Sequence, residues 1–324
     1  DNYSLSKGSM KVTSSEAFYA FAGSGQNNLY TCFMDLGFRL VSRKGNVALI
    51  HQDGHLKETA SQLRRHWYRR IIKHFEFANK ISSKNFAEVL HTVRFSLNIY
   101  RGYEDYVKFD QITNAFLAGQ IDDCYAHSGD GTVPLLRNED NSWNTEGHRK
   151  RIYSVEEKDL DGYRKILNTE GDELDARLIQ LLSENQKEAL SAFENCVSIE
   201  AKYGQVQIEP MFHESASQKE GILKKKTYFP NKSENLVISG PNIYVSNPIY
   251  KCARRVCTSP QQYDNILLDE IAGNYLPRTN FEITSNYREI KSTFDPTKKY
   301  NDLYRLAFRR RIEIGSERTF TSAI

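Results

Sequence analysis

The sequence predicts an α/β fold, because helix-like and strand-like stretches alternate along its first third. Residues 28–40 and 62–74 have apolar side chains every three or four positions, which is the spacing of an amphipathic helix. The apolar run at 47–51 has the length of a strand, and a second, β-rich run lies at 93–102. Alternation of this kind is typical of a sheet covered by helices.

Local patterns justify each of these elements in turn. One row along the first helix consists of Leu29, Phe33, Leu36 and Leu40. A turn around Gly45 follows, and the uninterrupted apolar run behind it is typical of a strand buried on both faces, as in a parallel sheet. The corresponding row in the second helix consists of Leu63, Trp67, Arg70 and His74, and its apolar side is extended by Ile71 and Ile72.

The middle of the chain is predicted to be a connector that contains helices. Residues 121–151 are polar and rich in turn residues. Ser154 and Glu157 have the spacing of a capping box, which predicts a helix over 156–167. Leucines and other apolar residues at helical spacing predict a further core-facing helix over 173–197.

Beyond residue 202 the pattern changes to short β-like runs, which are separated by turn residues such as Gly221, Pro230 and Pro241. The sequence therefore predicts three parts. These are an α/β part at 1–110, a connector with helices at 111–202, and an α+β domain at 203–324.

The composition is that of a soluble globular protein, with 39% hydrophobic and 26% charged residues among 324. No apolar run is long enough for a transmembrane helix, and the first residues lack the layout of a signal peptide. The five cysteines are scattered, and none is spaced to complete a zinc site. We therefore expect a cytoplasmic protein without disulfides or metal. Because the chain begins with Asp1 rather than Met, a fragment is one interpretation.

Three stretches carry a family resemblance. The first is NLYTCFMDLGFRLVSRKGNVALIHQDGHL from Asn28, and the second is HFEFANKISSKNFAEVLHTVRFSLNIYRG from His74. The third combines SGPNIYVSNPIYKCARRVC, QYDNILLDEIAGNYLPRTNF and the closing SERTFTSAI. The first two resemble the part of the catalytic domain that follows the catalytic tetrapeptide in gamma-type adenine-N6 DNA methyltransferases. The third is similar to the region after that domain in the large methylases of phage-defence and restriction-modification systems.

The resemblance implies the C-terminal part of a Rossmann-like methyltransferase sheet at 1–110 and a DNA target-recognition domain at 203–324. The reaction it implies is methyl transfer from S-adenosylmethionine to adenine N6 in duplex DNA. Such enzymes flip the adenine out of the duplex, because its amino group is unreachable inside the stack.

The resemblance also assigns site residues. Phe86 matches the position of the aromatic that stacks on the flipped base, and a core phenylalanine under the sheet is the alternative. Tyr30 matches the helix after the catalytic loop. His51 and Asp53 lie at the carboxyl end of a predicted strand, where α/β sheets bind ligands. We therefore expect His51 and Asp53 to shape the adenine pocket, with structural roles as the alternative.

Two short motifs are interpreted as non-catalytic. Asn-Pro-Ile-Tyr at 247–250 resembles the catalytic Asn-Pro-Pro-Tyr, but it lies in the predicted recognition domain, and Ile249 cannot fix the backbone as proline does. Phe-Ala-Gly-Ser-Gly at 21–25 resembles a cofactor loop, but no buried strand precedes it, and neither Asp35 nor Asp53 has the expected spacing. A flexible linker with Gly23 and Gly25 is the preferred interpretation.

Basic residues cluster locally, although the formal net charge is only +3. Contacts of Lys and Arg with phosphates supply most of the nonspecific affinity for DNA, whereas a solvated protein face is the alternative for any single cluster. Two of these arginines, Arg254 and Arg278, are also candidates to read guanine edges. The predicted DNA-binding residues are Arg64, Arg65, Arg69, Arg70, Lys224, Lys225, Lys226, Arg254, Arg255, Arg278, Arg309 and Arg310.

The sequence thus predicts part of an adenine-N6 DNA methyltransferase whose S-adenosylmethionine is bound mainly by a region outside this chain. On this hypothesis the chain alone does not methylate DNA, and an amino-terminal catalytic half is needed, in the same polypeptide or as a separate subunit. One alternative is a non-enzymatic DNA-binding or specificity module that lacks a catalytic half. Another is a self-contained methyltransferase that uses the loop at 21–25.

Overall fold

The computed structural model describes residues 8, 11–13, 15, 17–22, 28–57, 62–204, 212–242, 251–259, 261–284, 297, 306–308 and 322–323. The chain divides into two compact units, Asp1–Lys202 and Tyr203–Ile324, each of which is described by itself. None of the helices in these residues is long and apolar enough to cross a membrane.

The first unit contains a five-stranded sheet with helices on both faces. Its strands are β1 (Asn46–His51), β2 (Ile71–Ala78), β3 (Arg94–Arg101), β4 (Lys108–Ala115) and β5 (Tyr153–Glu156). Its helices are α1 (Leu29–Leu40), α2 (Gly54–Lys57), α3 (Gln62–Tyr68), α4 (Gly119–Ala126), α5 (Glu157–Ile166) and α6 (Glu184–Ser191). A further helix, α7 (Ile199–Tyr203), spans the division between the units, and 3-10 segments occur at Asn79–Lys84, Arg149–Arg151 and Glu173–Asp175.

The sheet is mixed, with the strand order β1-β3-β2-β4-β5. Strands β2 and β4 are parallel, whereas β1–β3, β2–β3 and β4–β5 are antiparallel. It follows that β1, β2 and β4 run in one direction and end at the same edge of the sheet. The predicted α/β class is therefore confirmed in its general form.

Strand β1 forms as predicted, but its surroundings differ from the prediction. Among the described strands it is an outer one, paired only with β3 in an antiparallel register. Val47 and Leu49 pack partly against the core, whereas Asn46, Ala48 and Ile50 on the other face are exposed. The expectation of a doubly buried strand in a parallel sheet was wrong, because an apolar run does not reveal which of its faces is covered.

Two hydrophobic clusters lie on opposite faces of the sheet. The larger includes Met34, Phe38, Trp67 and Tyr100, and it brings α1 and α3 against β3. It continues over α5 and the segment at 174–181. The smaller cluster, with Phe75, Phe77 and Ile112 as members, packs the other face against α4. Successive side chains of a strand point to opposite faces of the sheet, so each central strand contributes residues to both clusters.

Two predicted helices were partly wrong. Residues 71–74 belong to strand β2 rather than to a long helix, since α3 ends at Tyr68. In the predicted helix at 173–197, α6 covers only Glu184–Ser191. The segment before α6 is extended, and its backbone bonds to side chains of the core: Tyr68 Oη donates to Ala176 O at 2.8 Å, and Leu181 N donates to Tyr153 Oη at 3.0 Å.

The helix predicted over 156–167 is confirmed as α5, but its cap differs. Ser154 lies in strand β5, and Glu156 precedes the helix, where its backbone N donates to Asp159 Oδ2 at 2.7 Å. Strand β4 crosses position 110, where a domain boundary was predicted, and β5 and α5 belong to the same sheet and core as β1–β3. The first unit is thus undivided at residue 110.

The second unit is built from short elements. Helix α8 covers Glu214–Lys219, and the strands are β6 (Leu223–Tyr228), β7 (Lys251–Ala253), β8 (Tyr263–Asn265), β9 (Thr279–Ile283), β10 (Ala307–Phe308) and β11 (Ser322–Ala323). These strands form three antiparallel pairs, β6–β9, β7–β8 and β10–β11. Leu223 on β6 and Phe281 on β9 form a small core together with Val237. The division between the units lies after residue 202, where the sequence pattern changes to short β-like runs.

Candidate functional site

The carboxyl edge of β1, β2 and β4 is where the predicted catalytic residues lie. Strand β1 ends at His51, and Asp53 follows directly. Tyr30 reaches the same place from the first turn of α1, with its ring stacked on His51 at a centroid distance of 5.3 Å. Gly54 permits this approach, because a Cβ added there would lie 2.9 Å from Tyr30 Oη. The structure therefore brings Tyr30, His51 and Asp53 together.

Asp53 is an almost completely buried carboxylate with two partners. Ser96 Oγ donates to its Oδ1, and His74 Nε2 lies 3.2 Å from its Oδ2. Burial acts to raise the pKa of Asp53, but the charge of His74 and the hydrogen bonds from His74 and Ser96 outweigh it, so this pKa lies well below its usual range. Asp53 is therefore an ionised group in a pocket made by neighbouring strands.

His51 has a tautomer that its partners define. Its Nδ1 donates to Gln52 O at 2.8 Å, while Nε2 accepts from Tyr100 Oη at 2.6 Å and from Asn98 Nδ2 at 3.1 Å. Trp67 Nε1 in turn donates to Tyr100 Oη at 3.2 Å. Burial lowers the pKa of His51, which agrees with a neutral imidazole that donates on one side and accepts on the other.

His55 completes the cluster as a fully buried histidine. Its ring lies 5.4 Å from that of His51 and 5.8 Å from that of Trp67, both edge to face. Neither ring nitrogen has a hydrogen-bond partner in the described part of the chain. Burial, and then the neighbouring His51, lower the pKa of His55 well below its ordinary value. We refer to Tyr30, His51, Asp53, His55, His74, Ser96, Asn98 and Tyr100 as the edge network.

The polar side-chain atoms of the edge network are directed into the protein interior. His51, Asp53 and His74 are all buried, and their side-chain hydrogen bonds go to Gln52 O, Tyr100, Asn98, Ser96 and one another. This arrangement fixes the segment after β1 against β2 and β3. His51 and Asp53 thus hold the sheet edge in place rather than line an open pocket.

Phe86 lies at the same edge but on the opposite face of the sheet. Its ring meets that of Phe95 edge to face at 4.8 Å, and Phe95 and Ser96 are neighbours on β3. Because neighbouring strand residues point to opposite faces, Phe86 is separated by the sheet from Asp53 and Ser96. The ring is nevertheless 42% exposed. Phe86 and the group of Tyr30, His51 and Asp53 thus lie on opposite faces of the sheet.

Asn79 holds the loop that carries Phe86. This asparagine is fully buried, and its Nδ2 donates to Phe86 O at 3.0 Å and to Val89 O at 2.8 Å. From the same loop, Asn85 Nδ2 donates to Phe116 O, just after β4, at 2.7 Å. The loop is therefore tied to the carboxyl ends of both β2 and β4.

The two arginines of α3 that were predicted as DNA ligands form internal contacts. Arg64 is fully buried, and its Nη2 donates to Asp175 O at 2.8 Å. Arg65 pairs with Asp172 at 2.6 Å and with Asp175 at 2.8 Å. The spacing of Arg and Lys along a helix does not reveal partners that lie more than 100 residues away in sequence.

The other two arginines of this cluster are also engaged. Arg69 pairs with Glu157 at 2.8 Å and donates to Asp105 O. Arg70 is buried, with its guanidinium 5.1 Å from the ring centres of Phe38 and Tyr103. Arg64, Arg65, Arg69 and Arg70 therefore all make contacts within the first unit.

In the second unit, several of the predicted DNA-binding residues are exposed to solvent. Lys224 and Lys225 on β6 are exposed, as is Arg255, and none of these three forms an ion pair with a described residue. Lys226 pairs with Glu282 at 2.6 Å, and Arg254 pairs with Asp264 at 2.9 Å.

Arg278 in the second unit is held by its own chain, since its Nη1 donates to Ala253 O at 3.0 Å. Arg309 and Arg310 lie outside the described residues, as does the tetrapeptide at 247–250.

The start of the Phe-Ala-Gly-Ser-Gly stretch is anchored to α1. Gly23 and Gly25 lie outside the described residues. The backbone N of Phe21 and that of Ala22 donate to Asp35 Oδ2 at 2.7 and 3.2 Å, and Arg39 Nε pairs with Asp35 Oδ1 at 2.9 Å. The buried carboxylate of Asp35 is thus used to anchor the chain to α1. No group of metal-ligating side chains able to hold an ion occurs within the described ranges.

Sequence reasoning missed Ser96, Asn98 and Asn79 as members of this edge. The signal that was present is the alternation on β3, where Ser96, Asn98 and Tyr100 occupy every second position. Polar residues at this spacing usually indicate a solvated strand face. Here that face is buried, so the polar side chains bond to one another and to Asp53.

No family model, curated protein or solved structure matches this chain.

Proposed function

We propose that this chain is part of a site-specific DNA adenine-N6 methyltransferase of a restriction-modification or phage-defence system. In this proposal Phe86 stacks on the flipped adenine, the edge network keeps the sheet edge rigid, and the second unit binds duplex DNA. The residues that bind S-adenosylmethionine and align the amino group come from a catalytic portion, in the same polypeptide or a partner subunit. The resemblance of three ordered stretches supports this assignment, and the position of Phe86 is the observation that carries it.

Phe86 has the surroundings that base stacking requires. Its ring is 42% exposed, although it follows a buried strand and touches Phe95 with one edge. The loop cannot move freely, because Asn79 bonds to both Phe86 O and Val89 O. A fixed aromatic at the carboxyl edge of β2 and β4 provides a flat surface where open α/β sheets bind their ligands. Stacking of a base on an aromatic contributes roughly 1–3 kcal/mol.

A catalytic portion is supported by the exposed apolar surface of the first unit. Helix α1 buries Cys32, Met34 and Phe38, yet its other side exposes a row of apolar side chains. The members of this row, which we call the outer row of α1, are Leu29, Phe33, Leu36 and Leu40. Ile50 on the outer strand β1 is exposed as well. Contiguous exposed apolar side chains mark surfaces that another protein element covers.

The proposal is tested by adenine methylation in a cell. The complete gene encoding this chain is expressed in a host that lacks adenine methylation, and N6-methyladenine in genomic DNA is mapped by sequencing. We expect methylation at one sequence motif. Phe86→Ala should lower it about tenfold or more, since the stacking energy is lost. Phe86→Trp keeps a stacking ring and should retain methylation.

The matched control is Leu90→Ala, which removes an exposed apolar side chain from the same loop. Its methylation should equal that of the wild-type protein. Genomic DNA without N6-methyladenine contradicts the proposed function, and equal losses in the Phe86 and Leu90 variants contradict the stacking role.

A non-enzymatic DNA-binding module is the second candidate, because Lys224, Lys225 and Arg255 are exposed without acidic partners. Fluorescence anisotropy with a labelled duplex tests it in the purified chain. Lys224→Gln with Lys225→Gln should weaken binding and lower the salt slope by up to about two. Lys44→Gln with Lys57→Gln removes two exposed charges from the first unit as the control. Affinity for DNA without methylation by the complete gene product favours this candidate.

A further inference from the structure

An open cleft in the second unit lies beside the end of strand β6. Its volume is about 320 Å³, and its walls are formed by the end of β6, the turn that follows, and β9. The side chains that matter for the inference are Lys226, Tyr228, Phe229, Asn231, Asn235 and Glu282. Apart from Lys226, none of them was singled out as a DNA contact by the sequence.

The cleft contains an aromatic ring that is fixed from behind. Phe229 is 51% exposed, and the guanidinium carbon of Arg278 lies 4.4 Å from its ring centre. Arg278 is itself held, because its Nη1 donates to Ala253 O at 3.0 Å. A planar cation stacked on an aromatic is a stable arrangement that also makes the local surface positive. Phe229 therefore has a fixed orientation while much of its ring remains accessible.

The second aromatic, Tyr228, is also fixed. Its hydroxyl donates to Asn235 O at 3.3 Å, and Lys226 Nζ lies 5.1 Å from its ring centre. The charge of Lys226 is balanced by Glu282, 2.6 Å away. Within the cleft the two charges cancel, and Arg278 behind Phe229 leaves a net positive environment.

Two asparagines border this space. Asn231 and Asn235 line the cleft, and neither side-chain amide has a hydrogen bond with another described residue. Each amide offers a donor and an acceptor, which is the combination that reads the edge of a base. A flat ring with polar edges, attached to an anionic chain, is the ligand that matches this set of groups.

We propose that this cleft binds an unpaired, unstacked nucleobase of a DNA strand, with the base stacked on Phe229 and its polar edge against Asn231 and Asn235. Lys224 lies on the same face of β6 as Lys226, roughly 7 Å further along the strand, and is placed to contact the adjoining phosphate. The inference rests on the proposed binding of DNA by the second unit and names the part of the DNA that this cleft recognises.

The test separates the base from the phosphates. Fluorescein-labelled d(A)6 and a hexamer of abasic sites with the same number of phosphates are titrated into the full chain, and anisotropy is measured. We expect d(A)6 to bind about tenfold more tightly, in line with base–aromatic stacking. Phe229→Ala should remove this difference, and Phe229→Trp should keep it. Phe18→Ala, which removes an exposed ring from the first unit, should also keep it.

The outcomes distinguish this inference from the proposed function. Equal affinity for the two hexamers, or a base preference that persists in Phe229→Ala, overturns the cleft assignment while DNA binding by the chain stands. Lys224→Gln with Lys225→Gln should weaken both hexamers by the same factor, and a selective loss of d(A)6 binding in that variant also contradicts the assignment. If neither hexamer nor duplex DNA binds, both the cleft and the proposed DNA-binding function fail.

Discussion

Among single residues, Asp53 shows most directly how the sheet edge is held together. A buried carboxylate is costly unless it is paired and hydrogen-bonded. Asp53 meets both conditions through Ser96 on β3 and His74 on β2, which ties the segment after β1 to two other strands. The carboxylate therefore fixes the relative positions of three strands at their common edge.

Replacing Asp53 tests this role. In Asp53→Asn the charge is lost and an amide NH2 faces His74 or Ser96, so we expect the free energy of unfolding to fall by about 3–5 kcal/mol. Asp161→Asn is the control, because Asp161 pairs with Arg164 and Lys165 at a partly exposed site and should contribute less than about 1 kcal/mol. Urea unfolding measures both values. Similar losses in the two variants mean that the buried network has no special role.

Two neutral histidines of the edge network predict a pH dependence. The pKa values of His51 and His55 are lowered by burial, so both imidazoles stay unprotonated in the folded chain at a pH where the unfolded chain is protonated. Stability is therefore complete above about pH 6.5 and decreases as the pH falls below it, by up to about 1.4 kcal/mol per pH unit for each histidine.

Unfolding free energies at pH 5, 6, 7 and 8 test this expectation. His55→Gln should make the dependence shallower, whereas His91→Gln, at an exposed position, should leave it unchanged. The ionised Asp53 adds its own loss only at much lower pH, below the pKa of an unfolded aspartate near 3.9. A flat profile between pH 5 and 7 contradicts burial of neutral imidazoles.

At the scale of elements, helix α1 has two apolar sides with different roles. Met34 is completely buried in the larger core, whereas Phe33, its neighbour in sequence, belongs to the outer row of α1. We expect Met34→Ala to cost about 2–5 kcal/mol of unfolding free energy, because a cavity remains. Phe33→Ser should change the stability by less than about 0.5 kcal/mol. Urea unfolding of the two variants measures the contrast, and a large loss in Phe33→Ser means that the outer row packs within the chain.

The segment before α6 shows what periodicity cannot reveal. Leu174, Leu178 and Leu181 are spaced as in a helix, and all three are buried, but the chain that carries them from residue 176 is extended. Its backbone partners are Tyr68, Tyr153 and Thr113, which are far away in sequence. Side chains that are distant in sequence form hydrogen bonds with the backbone of this segment, and these bonds replace those of a helix. No local sequence pattern predicts such long-range bonds.

At the scale of the whole molecule, the sequence predicted the class of the fold better than its connections. The alternation of elements indicated α/β, and Tyr30, His51 and Asp53 do meet at one edge. The strand order, the antiparallel β3 and the face on which Phe86 lies depend on long-range pairing. Arg65 and Arg69 illustrate the same limit, since a low net charge allows local basic clusters to be paired with distant acids.

The two units have separate cores, and this predicts separate unfolding. Both tryptophans, Trp67 and Trp143, lie in the first unit, so tryptophan fluorescence reports on that unit alone. Phe281→Ala removes a ring from the small core of the second unit and should cost it about 3–5 kcal/mol. In urea, the far-UV circular dichroism of this variant should lose signal at lower concentrations, whereas its fluorescence transition should match the wild type. Because Asp53→Asn acts on the first core, it should move the fluorescence transition. A fluorescence midpoint that shifts with Phe281→Ala means that the two units unfold together.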